Sequence, residues 1–383
     1  MDGRRGSFEE LERARGLAPR IRAAQAEIEA RRELPPELAR ELAEQGMFRL
    51  LLPGSFGGCA LGLPEFIRVV ETIGEADGST GWCVSQGAVF ANVAPILSPE
   101  TAAEIWGANP DAVVATGVPF GSQAHEVAGG HRLTGRWRFS SGCMHAGWLA
   151  AMAPVASASG EPAAPRTFLL LRSQAKIEDG WNVRGMRGTG SHEYTLDGLE
   201  VPLARSIRQV EFSRFGDDST GLSCQLLFAC GFGAVGLGLA RRAIDSFVEV
   251  AQGKTPVFAN KKLLEDELVQ TSLAQAEAAW GSTRAFLLDV AEDCAHANRT
   301  TGPPPLELRA RLRLAATHAM RRSADVVDQI YSLAGTDSIF DDHPIQRCFQ
   351  DVHALTQQVQ GRVSHYRSVG RVLLGLAPES LWV

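Results

Sequence analysis

No two cysteines of this 383-residue chain stand at C-x-x-C spacing, and neither H-E-x-x-H nor G-x-S-x-G occurs. These absences remove a thiolate zinc frame, a helical zinc-hydrolase site and a nucleophile elbow. Cys59, Cys83, Cys143, Cys224, Cys230, Cys294 and Cys348 are scattered and odd in number. Reduced thiols in a cytoplasmic protein are therefore expected, with no disulfide frame and no metal site. No run of Lys and Arg is interleaved with aromatics, and 44 acidic against 38 basic residues give a net charge of −6. That balance argues against nucleic-acid binding. The opening "MDGRRGSFEELERARG" has no apolar core, so no secretory signal is expected. The most apolar window, 222–240, holds Ser223, Gln225 and four glycines and is followed by Arg241 and Arg242. A buried helix is expected there, and no membrane partner. Internal repeats and low-complexity tracts are absent.

What is present is ordinary globular material, 45% hydrophobic and 21% charged, enough for two or three domains. Residues 7–32 are rich in Ala, Glu and Arg and predict a helix. Pro35 and Pro36 open another that ends at Gly46. Phe66, Val69, Val70 and Ile73 keep helical spacing, and "STGWCVSQGAVFANVAPIL" predicts a further buried helix. Ser98 before Pro99 marks a helix start. From Asn109 the texture changes to short apolar runs between turn signals; "HRLTGRWRFSS", "GWLAAMAPVA", "TFLLLRS" and "YTLDGLEVP" predict strands. From Ser219 onward the pattern is helical again. Four long amphipathic helices are expected, the last running from near His343 toward Leu374. The expected domains are 1–108 (helical), 109–217 (β) and 218–383 (four-helix bundle).

Gly231, Gly233 and Gly236 spell G-x-G-x-x-G. A dinucleotide-binding turn needs a strand before it and an acidic residue ending the next strand. Here "GLSCQLLFACG" runs in helical phase into "LARRAIDSF", so the glycines are expected to serve close helix packing or a ligand.

The helix–β–helix order, with "PGSFGGCALGL", "IGEADGSTGW", "TGRWRFSSGCMHAGWL", "GMRGTGSHEYTLDGLEVP" and "HPIQRCFQDVHALTQQV", resembles the acyl-CoA dehydrogenase superfamily across nearly the whole chain. Within it the chain looks like the two-component flavin-dependent monooxygenases. The resemblance implies an α+β fold: an N-terminal helical domain, a middle β-barrel domain and a C-terminal four-helix bundle. It implies a homotetramer with flavin between the β domain and the bundle, and a second subunit closing the site. It also implies reduced FMN or FAD delivered by a flavin reductase, with O2 as co-substrate and an aromatic or polycyclic small molecule as substrate, indole-like among the options. The alternative is an FAD-dependent acyl-CoA dehydrogenase or oxidase.

Carried onto this sequence, the resemblance puts Ser140, then Ser141, at the flavin N5 edge. It puts Thr116, Val118 and Ser122, in a loop "ATGVPFGSQ", along the pyrimidine and ribityl side. The alternatives are strand serines bonded to backbone and a plain β turn. Trp82 and Trp148 become aromatic walls, or simply core tryptophans. His145 is catalytic or structural; Met144 stands where related hydroxylases often have an Asp. Phe90 and Gln358 align with histidines of related phenol hydroxylases, and His353, five residues before Gln358 on the same expected helix, lies about 140° away around it. A substrate that needs no deprotonation is expected. The dehydrogenase base, a Glu, is missing from "AGTDSIFDDHPIQRCFQD", which offers only Asp337, Asp341 and Asp342 between the helices. Lys254 stands near the position of a pyrophosphate-binding Arg.

Overall fold

A computed structural model describes residues 3–107, 109, 112–156, 162–208 and 220–379. The expected domain boundaries involve residues 108, 217 and 218, outside the described residues. The N-terminal region is helical: α1 (Gly3–Arg31), α2 (Pro36–Glu44), α3 (Leu63–Ala76), α4 (Gly78–Ala91) and the short α5 (Pro99–Ala102). The predicted start signal is used, since the Ser98 side chain accepts the Thr101 N–H. Asp77 separates α3 from α4: its carboxylate accepts from both the N–H and the hydroxyl of Thr80, each at 2.8 Å. Such a cap contributes about 1 kcal/mol and fixes where α4 begins.

Among the described residues seven strands follow: β1 (Val114–Val127), β2 (Gly130–Ser140), β3 (Trp148–Ala156), β4 (Pro162–Leu171), β5 (Lys176–Glu178), β6 (His192–Pro202) and β7 (Ser206–Arg208). They form one sheet in the order β5-β6-β2-β1-β3-β4-β7, antiparallel except for the β1–β3 pair. The stretch expected as a flavin-lining loop, "ATGVPFGSQ", is instead part of the central strand β1. Its turn signals, Gly121 at φ +68° above all, make a bulge between Phe120 and Gln123.

The C-terminal helices are α6 (Cys224–Gly253), α7 (Glu267–Thr300), α8 (Leu306–Ala334), α9 (Pro344–Gln357) and α10 (Ser364–Leu373). The expected fourth long helix is thus broken: Gln358 leaves helical geometry at ψ 148° and a 3-10 turn, Val359–Gly361, precedes α10. Helix α6, long and apolar enough to cross a membrane, is the buried axis of the bundle. Its glycines serve packing. A Cβ on Gly231 would stand 2.0 Å from the Ser85 hydroxyl, and one on Gly238 2.5 Å from the Glu71 carbonyl and the Glu75 nitrogen. Helix α3 therefore approaches α6 backbone to backbone, and α4 seats the Ser85 side chain against it, as the helical reading of G-x-G-x-x-G requires. Phe232 and Phe247, fully buried on α6, each contribute about 2 kcal/mol of burial.

Candidate active site

Helix α4 carries Trp82, Gln86 and Phe90 four residues apart, so the three share one face. That face meets the sheet. The Trp82 indole N–H donates to Ser141 Oγ at 2.9 Å, and Gln86 Nε2 donates to Thr116 Oγ1 at 3.3 Å. The Trp82 ring lies stacked on Phe232 of α6 at 3.9 Å between centroids. Sheet, N-terminal helices and bundle thus converge on this face of α4: Trp82 meets Ser141 and Phe232, and Gln86, one turn on, meets Thr116. Thr116, Val118 and Phe120 alternate onto one sheet face, and Val118, Phe120 and Phe139 are about half exposed. The Arg136 and Arg138 guanidiniums lie over the Phe120 ring at 5.7 and 5.2 Å, and both reach Glu193.

The end of β2 is strained. Phe139 sits in the left-handed region at φ +58°, a conformation rare for an aromatic residue, and the pairing with β6 shifts between Trp137 and Ser140. The bulge brings two consecutive serines into the interior. Ser140 is fully buried and its Oγ has no hydrogen-bond partner among the described residues. Ser141 bonds Ser191 Oγ at 2.7 Å, Ser191 bonds Thr189 Oγ1 at 2.7 Å, and Thr189 donates to the Met186 carbonyl at 2.8 Å. An orphaned buried hydroxyl beside an exposed apolar sheet face fits a planar heterocycle that offers both N–H and N acceptor edges.

Several predicted residues stand elsewhere. Ser122 is turned inward by the β1 bulge, toward the Met152 carbonyl (3.5 Å), which also takes the Trp137 indole N–H. Trp148 is buried with its ring under the Arg205 guanidinium, 5.0 Å away, and Arg205 is paired with Glu104. It is a wall of that ion pair. His353 is held by Asp328 Oδ1 at 2.8 Å and packs edge-on to Phe349, on the α8–α9 side. Because α9 ends at Gln357, the 140° relation between His353 and Gln358 does not apply. Gln358 turns its Oε1 back onto the Gln360 N–H at 2.5 Å, leaving its amide as the available donor. His145 packs tilted on Phe48 at 5.5 Å between centroids; burial and then Arg172 push it down to about 4, so it is neutral at pH 7. Lys254 is committed to the Ala334 carbonyl and to Asp337. The reading of single residues missed Gln86, Thr189 and Ser191; four-residue spacing from Trp82 was the signal for Gln86. A cavity of about 410 Å³ lies apart, among α1, α3, α6 and α7, and none of these residues lines it.

The descriptions of the acyl-CoA dehydrogenase N-terminal and C-terminal domains match residues 12–100 and 230–360. Indole-3-acetate monooxygenase of Pseudomonas putida is 35% identical over 94% of this chain and 92% of its own length. The flavin-dependent monooxygenase oxygenase subunit HsaA of Rhodococcus jostii is 30% identical over 90% of this chain and 92% of its own. Among solved structures, the 3-HSA hydroxylase of Rhodococcus sp. RHA1 superposes with a TM-score of 0.90 at 28% identity, over 98% of this chain and 99% of that one. With the helical–sheet–helical order and the convergence on Trp82, these matches make the chain a member of the acyl-CoA dehydrogenase superfamily, in its branch of two-component flavin-dependent monooxygenases.

Proposed function

We propose that this oxygenase component acts on an indole-type aromatic substrate, takes its reduced flavin from a separate reductase, and works as a cytoplasmic homotetramer. The observation that carries the substrate class is the make-up of the α4 face. Trp82 and Phe90 supply flat apolar surface, Ser140, Ser141 and Thr116 supply hydroxyls, and no carboxylate or titrating imidazole belongs to this set. These residues bind and orient an electron-rich ring, and none of them is a base for a phenolic proton. The indole-3-acetate monooxygenase likeness supports the same class.

Bound reduced flavin supplies the electrons that activate dioxygen. The chain's own residues do the rest. Ser140 and Ser141 hold the edge of the heterocycle, Thr116 and Val118 line its flank, and Trp82 and Phe90 exclude water and stack the substrate. The dehydrogenase alternative is disfavoured because Asp337 is tied to Lys254 and no Glu occupies 335–344.

The test is anaerobic mixing with reduced FMN or FAD, followed by oxygen in a stopped-flow spectrometer. A delay of seconds before oxidised-flavin absorbance returns, with indole-3-acetate consumed in place of peroxide release, is expected. Return at the protein-free rate, with and without the indole, refutes the proposal.

A further inference from the structure

The hydroxyl chain behind Trp82 has only one possible direction. Its far end is the Met186 carbonyl, which only accepts, so the Thr189 proton is committed there. The Thr189–Ser191 bond, 2.7 Å, must then use the Ser191 proton, and the Ser191–Ser141 bond, also 2.7 Å, must use the Ser141 proton. The near end agrees, because the Trp82 indole only donates, and it donates to Ser141. All three hydroxyls are buried, so water does not compete for these protons. The terminus is firmly placed. The Met186 N–H is bonded to Asp351 Oδ1 at 2.5 Å, and its carbonyl also accepts from the Trp181 indole. Ser141 therefore has no proton to give and one lone pair to offer, whereas the neighbouring Ser140 hydroxyl is uncommitted among the described residues.

We infer that Thr189 and Ser191 are positioning residues that make Ser141 an acceptor only, and that this biases the site toward reduced flavin. The inference rests on the flavin reading above. Reduced flavin carries a hydrogen on N5 and can donate to Ser141; oxidised flavin presents a bare N5 lone pair, which Ser141 can only repel. An oxygenase fed by a reductase gains from this polarity, since it captures the reduced form and lets the oxidised form go. The same chain fixes the plane of Trp82.

The experiment compares dissociation constants for oxidised and reduced FMN and FAD, measured anaerobically, in wild type, Ser191→Ala, Ser191→Thr and Thr189→Val. Ser191→Ala frees the Ser141 proton. The ratio of oxidised to reduced constants should fall about tenfold, the size of one neutral hydrogen bond. Thr189→Val, which breaks the chain one link further out, should move the ratio the same way by less, and Ser191→Thr should restore it. In flavin-free protein labelled with 5-fluorotryptophan, the fluorine resonance assigned by Trp82→Phe should shift in Ser191→Ala and return in Ser191→Thr. Equal weakening of both flavin forms, with the ratio unchanged, overturns the inference and leaves the flavin reading standing. Failure of wild type to bind either flavin overturns both.

Discussion

Burial and the Arg172 guanidinium hold His145 down at about 4, against 6.5 for a free ring. The unfolded chain therefore takes up this proton before the folded one does. The stabilisation from keeping the ring neutral is complete above about pH 6.5 and is lost as pH falls toward 4. At pH 5 the loss is about 1–2 kcal/mol, less than full burial would give because the residue is only half-buried. His145→Asn should flatten this limb. Urea midpoints of wild type and variant at pH 7 and pH 5 test it, and equal losses in the two proteins would show the assignment to be wrong. The type of this residue was legible in "SGCMHAGW", but its protonation state was not. That depends on Phe48 and Arg172, which come from opposite directions along the chain.

At the scale of elements, the bundle axis rests on the absence of side chains. A Cβ on Gly238 would collide with α3 backbone, which cannot swing aside as a side-chain tip would. Gly238→Ala should cost about 1–3 kcal/mol. Gly281, on α7, has nothing within 4 Å of its would-be Cβ, so Gly281→Ala should stabilise by about 0.5–1 kcal/mol through helix propensity alone. Thermal melts of the two variants decide this, and shifts of the same sign would contradict the packing argument. The helical identity of 230–247 was readable because its apolar spacing never leaves helical phase. The break after Gln357 was not, since "LTQQVQGRVSH" contains no proline and its one glycine falls four residues later. The β1 bulge was signalled by Gly121 but read as a loop, because turn residues look alike whether they end a strand or kink it.

At the scale of the whole molecule, the turn between α6 and α7 projects Val257 and Phe258 into solvent; Phe258 is fully exposed and at φ +66°. Leu373 and Leu374, at the end of α10, are also mostly exposed. Apolar side chains held out in this way suit burial against other copies of the chain. Light scattering after gel filtration should give four times the 41.2 kDa chain mass, and Phe258→Asp should lower it. A monomeric wild type would rule the tetramer out.

Sequence by itself determined what depends on neighbours a few residues apart. Such features are the helical and strand textures, the Ser98 start, the helical reading of the glycine motif and the lack of metal, thiol-frame and nucleophile motifs. The order of the quoted motifs was enough to carry the superfamily. Tertiary structure alone decided which side chains meet. Trp82 and Ser141 are 59 residues apart, and Ser141 and Ser191 are 50. A one-residue bulge moved Ser122 out of the site, and an ion pair claimed Trp148. A hydroxyl proton goes where the nearest acceptor lies in space, and no periodicity along the chain encodes that position.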